Sequence, residues 1–203
     1  MVSINPSEQS ERENYKLLTG SIIPRPVAFV TTLSKNGVLN AAPYSYFNIV
    51  TSNPPMISIS VQRKDGQMKD TARNANERGE FVVHISDETY IEEINKTAAN
   101  LPENQSEIAL TNLTLADSVQ IEVPGIAESR IRMECVLEHS ISLGGEMNVP
   151  GCDLLIGRVV HFHVDDELYY EGKIRMKDLR PVSRLAGNDY SKLGEFFSLQ
   201  RPE

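Results

Sequence analysis

Cysteine is scarce in this chain, two in 203 residues, at Cys135 and Cys152. The pair has no CxxC spacing and cannot build the disulfide framework of a small secreted domain, so both are expected to be reduced thiols. No apolar run approaches the roughly 20 residues of a membrane span. The polar start, MVSINPSEQSERENYK, has no apolar centre of the signal-peptide kind, and a cytoplasmic protein without a membrane partner is expected. Basic residues are also in deficit, 20 against 28 acidic, for a net charge of −8. That balance works against a broad grip on phosphate backbones, so nucleic acid is not an expected partner. GxGxxG, Walker, GxSxG and HExxH motifs are missing too, and with them any sequence support for the common dinucleotide, hydrolase and zincin mechanisms.

The histidines offer little in their place. His161 and His163 share one side of an expected strand, yet no further ligands stand at a supporting spacing. His84 and His139 have no cysteine or serine partner to activate. All four are read as structural or surface residues.

What is present is ordinary globular composition, 40% apolar and 24% charged, enough for one domain over residues 1–203. Strands are predicted at Val27–Leu33, closed by the hairpin signal Asn36-Gly37, at Met56–Val61, where serines alternate with Ile57, Ile59 and Val61, and at Phe81–Ile85. The clearest alternation runs over Ile131–Leu143, a long strand with one buried face, and a partner able to pair antiparallel follows at Leu154–Val164. Helices are fewer. Met68–Arg78 ends before Gly79, a suitable terminator, and Ile91, Ile94, Ala98 and Leu101 share a helical face that opens with a Thr89/Glu92 capping box. Residues 101–117 read as a polar surface excursion holding one helical turn. Many strands, few helices and no βαβ rhythm point to a barrel or sandwich with peripheral helices.

Two segments carry candidate chemistry. Asn40–Pro55 gathers small residues, hydroxyls, Tyr44, Tyr46, Phe47 and Asn48, a mixture suited to a planar heteroaromatic ligand and equally to an aromatic loop of the core. Arg63–Arg78 holds local positive charge within an acidic chain, and Lys69, Asp70 and Thr71 fall in the first turn of the predicted helix. Free N–H groups there favour a phosphate; a solvated helix face is the other reading.

Taken in order, Arg25-Pro26-Val27, Asn40–Asn48, Asn53-Pro54-Pro55-Met56, Lys69-Asp70-Thr71, Gly79–Val83, the strand from Cys135 to Gly144 and the ending Pro181–Tyr190 resemble the flavin reductase-like, FMN-binding split-barrel family. Ala186 stands where one branch of that family has glycine. The resemblance implies a mainly β, six-stranded Greek-key split β-barrel over about residues 15–170, with a C-terminal extension over 171–203, forming a homodimer with FMN at the subunit interface. By position it implies that Tyr44, Ser45, Tyr46, Phe47 and Asn48 hold the flavin ring and ribityl chain, that Ser60, Arg63, Lys69 and Thr71 hold the phosphate, and that Arg184 and Tyr190 close the site. It also implies an oxidoreductase in which NADH or NADPH passes hydride to flavin N5 by ring stacking, without a side-chain acid or base, often in the service of a partner monooxygenase. A non-catalytic flavin binder and an FMN oxidoreductase with another acceptor are the alternatives.

Overall fold

The computed structural model describes residues 1–146 and 149–202. Seven strands build its main sheet: β1 Ala28–Leu33, β2 Leu39–Tyr44, β3 Phe47–Ser52, β4 Pro55–Gln62, β5 Glu80–Ile85, β6 Ile131–Leu143 and β7 Cys152–Val164. Their spatial order is β2-β1-β5-β6-β7-β4-β3, every neighbouring pair antiparallel. β5, β6 and β7 follow one another while β4 returns beside β7, which is a Greek-key order. The two outermost strands, β2 and β3, are joined by Ser45 and Tyr46 alone, and the Ser60 N–H donates to the Tyr46 carbonyl at 2.8 Å, adding one rung to the β3–β4 ladder. The sheet thus curls until its ends nearly meet, a barrel split along one seam. The resemblance implies six strands and the main sheet has seven, two of them, β2 and β3, drawn largely from the Asn40–Pro55 segment.

The strand pattern follows the sequence closely in β4, where Ile57, Ile59 and Val61 are buried and Ser58 and Ser60 face outward. Gly37, at φ 80°, supplies the left-handed residue of the hairpin between β1 and β2. β6 departs from its simple alternation. A register shift opposite Ile156 and Gly157 places Glu138 in a bulge, and beyond it Ile141 and Leu143 are exposed instead of buried. Met147 and Asn148, in the connection to β7, lie outside the described residues.

Three helices of six residues or more flank the sheet, α1 Glu11–Ser21, α2 Asp70–Arg78 and α3 Ile91–Lys96, and a four-residue helix, Met176–Leu179, follows β7. α1 begins with a complete capping box between Ser10 and Glu13. Ala72 and Ala75 of α2 join Phe81, Ile59, Val30 and Leu155 in the barrel core, and Gly79 ends that helix in the left-handed region at φ 76°. α3 lacks its predicted capping box. Thr89 bonds Asp87 through both its N–H (2.7 Å) and its hydroxyl, so Tyr90 takes the cap position without a side-chain bond. A second core lies outside the barrel wall, where Ile94 and Tyr90 pack on Phe29, Ala41, Leu113 and Ile126. The segment 101–117 holds one short 3-10 turn, Glu107–Leu110, and it is only partly superficial because Glu107 and Leu113 are buried.

The C-terminal extension folds back over the seam. Short strands at Val182–Arg184 and Tyr190–Lys192 pair with each other, and the first also pairs with Arg25–Pro26.

Candidate functional site

An open cleft of about 1030 Å³ lies along the seam. Its floor is the β2–β3 junction, Pro43 to Tyr46, together with Ser60 of β4; α1 and α3 form side walls, and the C-terminal hairpin forms the rim. The seam concentrates these groups for a geometric reason. Where the sheet does not close, the chain turns from one edge strand to the other, so that residues of the junction and of β4 line one opening.

Of the eleven residues singled out from the sequence, Tyr44, Ser45, Tyr46, Ser60, Lys69, Arg184 and Tyr190 line this cleft. Tyr44 is fixed from behind, its hydroxyl donating to Thr71 Oγ1 at 2.9 Å, while Asn40 Nδ2 donates to the same oxygen at 2.8 Å. Burial pushes the Tyr44 phenol up to about 12, so it stays protonated. Thr71 is therefore part of a buried polar chain, although it lines, with Lys69, a smaller recess of about 250 Å³ that adjoins the cleft. Lys69 immediately precedes α2, and among the described residues it has no acidic partner. Its ammonium pKa is lowered, chiefly by the packing around it and secondarily by Lys64, although the residue as a whole is solvent-exposed.

Three of the eleven stand elsewhere. Phe47 packs against the barrel core. The Asn48 carboxamide oxygen accepts the Ile49 N–H at 2.8 Å on the exposed edge strand. Arg63 makes a two-pronged pair with Asp153 of β7, Nε at 2.9 Å and Nη2 at 2.6 Å, and a further bond to Ser142. Asp153 is fully buried, so it holds that guanidinium as its neutralising partner and raises its pKa.

Sequence reasoning missed other residues of the cleft. Arg25 lies within a quoted motif, but its role is visible only in three dimensions. It donates to the carbonyls of Thr19, Ile22 and Leu185, tying α1 to the C-terminal extension. Glu92 and Asn95 of α3 and Lys192 of the hairpin also line the cleft, and no local pattern distinguishes them from ordinary surface residues. The lining as a whole carries four cations, Arg25, Lys69, Arg184 and Lys192, against the single carboxylate of Glu92. On a chain of net charge −8, that is a local reversal of sign suited to an anionic ligand.

The sequence matches the flavin reductase like domain over residues 19–177. The chain belongs to the flavin reductase-like family. Among solved structures it is similar to nitrilotriacetate monooxygenase component B from Bacillus cereus, 67% identical with a TM-score of 0.97 and 98% of each chain covered. It is also similar to the 2-nitrobenzoate 2-nitroreductase NbaA of Pseudomonas fluorescens, 32% identical with a TM-score of 0.88, over 99% of this chain and 96% of that one. A split-barrel protein from Shewanella frigidimarina, 19% identical with a TM-score of 0.83 over 97% and 96% of the two chains, bears on the fold alone.

The family implies a flavin, and the cleft accommodates one in size, in charge and in its aromatic and hydroxyl lining. The histidines stand apart from it. His84 is buried, with Nδ1–H donating to the Phe29 carbonyl and Nε2 accepting the Ile126 N–H, both at 2.9 Å. His163 bonds Glu134 at 2.6 Å, and among the described residues no cluster suited to a metal occurs. No helix among them is long and apolar enough to cross a membrane.

Proposed function

We propose that this protein is an FMN-dependent oxidoreductase that draws electrons from NADH or NADPH, a flavin reductase working in the cytoplasm as a homodimer and supplying a partner monooxygenase. The observation that carries the reading is the charge of the cleft, four cations against one carboxylate on an acidic chain, with Lys69 lacking an acidic partner among the described residues. A terminal phosphate supplies the counter-charge that this position lacks. Family membership and the 67% identity to a monooxygenase component B support the electron-supplying role.

In this reading Lys69 and Thr71 take the phosphate, with the free N–H groups at the start of α2 adding to the attraction. Tyr44, Ser45, Tyr46 and Ser60 bracket the ribityl chain and the ring, and Arg184 and Tyr190 close the mouth. Bound FMN would supply the redox chemistry, accepting hydride from a stacked nicotinamide and releasing electrons to a second acceptor. The chain's own contribution is positional. Asn40 and Thr71 fix the Tyr44 ring, and the ladder bond between Ser60 and Tyr46 fixes the floor. Phe47 and Arg63 serve the fold, the one in the core and the other against Asp153. A second reading, reduction of a nitro compound at the same site, is supported by the likeness to the nitroreductase.

The test is spectroscopic. Purified protein mixed with FMN and freed of excess is expected to show visible flavin bands that bleach on anaerobic addition of NADH or NADPH. Bands that persist would indicate a flavin binder without this donor, and a colourless protein would remove the cofactor assignment.

A further inference from the structure

Glu92 is the one carboxylate among the charged side chains of the cleft. It sits on α3, and Asn95, three residues on, occupies the same side of that helix. Both reach the cleft, beside Ile91 and Ala98. The adjacent Glu93 is committed elsewhere, accepting from Lys96 Nζ at 2.6 Å and from the Asn112 N–H at 2.9 Å. Glu92 has no salt-bridge partner among the described residues.

The cations of the cleft are not in reserve for an additional phosphate. Arg25 is spent on three backbone carbonyls. Lys192 is held by Glu88 at 2.9 Å. Arg184 lies over the Tyr190 ring, 4.6 Å from its centroid, and donates to the Gly187 carbonyl at 2.5 Å. Lys69 is taken by the cofactor phosphate in the function proposed above. What remains uncommitted on the α3 wall is an acceptor, Glu92, beside an amide, Asn95.

We infer that Glu92 and Asn95 form the subsite for the adenosine ribose of the pyridine nucleotide and select NADH over NADPH. The inference rests on the flavin reductase reading. An unphosphorylated ribose presents vicinal hydroxyls that donate to a carboxylate, and the Asn95 amide can serve the neighbouring oxygen. A 2′-phosphate removes one of those donors and sets its negative charge against Glu92. Discrimination then comes from repulsion of the wrong donor as much as from attraction of the right one.

The experiment compares wild type, Glu92→Gln and Glu92→Lys, each reconstituted with FMN, by kcat/KM for NADH and for NADPH. Flavin content is read from the visible spectrum of every sample. Wild type is expected to favour NADH by about tenfold or more, since like-charge apposition is costly. E92Q is expected to shrink that ratio several-fold, mainly by raising kcat/KM for NADPH, and E92K to shrink it further or invert it. Wild type that uses NADPH equally well, or variants that keep the wild-type ratio, would overturn the inference. A ratio unchanged in flavin-loaded protein sinks the ribose subsite alone, whereas wild type that takes up no FMN sinks the underlying function and this subsite with it.

Discussion

At the scale of single residues, His84 shows how burial converts a titratable group into a structural one. Both ring nitrogens are consumed by backbone partners on β1 and on the segment around Ile126, and desolvation depresses the imidazole pKa to about 4. The unfolded value is about 6.5, so as pH falls through the interval between the two the unfolded chain gains a proton that the folded chain refuses. Stability attributable to His84 is complete above that interval and is lost within it, at a rate approaching about 1.4 kcal/mol per pH unit. Urea unfolding near pH 7 and near pH 4.5 is expected to show wild type losing more stability than His84→Gln by roughly 2 kcal/mol. An equal loss in both proteins would mean the imidazole is solvated. The sequence made His84 legible as a structural histidine, because it has no nucleophile or ligand spacing around it. Its two bonding partners, 55 and 42 residues away, were beyond any local pattern.

At the scale of elements, the Lys69-Asp70-Thr71 turn and the end of β4 divide tasks that residue type alone would assign to one site. Arg63 and Lys69 are both cations of the basic segment, yet Arg63 clamps β4 to the β6–β7 hairpin through the buried Asp153. Arg63→Gln leaves that carboxylate without its partner and is expected to cost about 3 kcal/mol, measured by denaturant midpoint, with little change in FMN affinity. Lys69→Gln is expected to do the reverse, weakening FMN at least about tenfold in a fluorescence titration while leaving stability within about 0.5 kcal/mol. A tenfold loss of FMN in R63Q would return the phosphate to Arg63. Periodicity exposed β4, β6, β7 and α2, each with one buried face over a regular repeat, while short β-branched and aromatic runs exposed β1 and β5, which are buried on both faces. Periodicity missed β2, interrupted by Pro43, and β3, whose side chains are mostly exposed, and it extended the alternation of β6 through a bulge that depends on pairing with β7. Thr89 is lost to the cap of α3 for a related reason, since its N–H and hydroxyl both donate to Asp87 and it can satisfy only one nearby arrangement at a time.

At the scale of the whole molecule, the single chain leaves apolar groups uncovered near the cleft. Tyr15, Leu18 and Ile22 follow one stripe of α1, and Ile49 and Val50 stand on the edge strand β3, with Ile49 76% exposed. Water-facing side chains of this kind on an edge strand are ordinarily covered. The proposed homodimer supplies that cover, and sedimentation equilibrium is expected to return twice the 22.7 kDa chain mass. A mass of one chain at micromolar concentration would refute the dimer and leave the cleft to a single subunit. The gross fold and the seam's participation in the site were legible because the ordered motifs fall on strands that surround it. Arg184 and Tyr190 of the C-terminal hairpin came from the resemblance, whereas the contributions of α3 and of Lys192 were not legible, since they arise where distant segments fold back over the opening.

That folding back gives the two sides of the cleft different lifetimes. The floor belongs to a ladder whose longest strands run 13 residues, whereas the rim hairpin is made of strands of three residues each. Local opening takes the path of fewest buried contacts, so the rim parts and recloses many times while the barrel beneath it stays intact. Whatever the rim adds to the site is therefore held by the weakest few bonds near the chain's end, and the seven-stranded wall keeps the floor in place when they part.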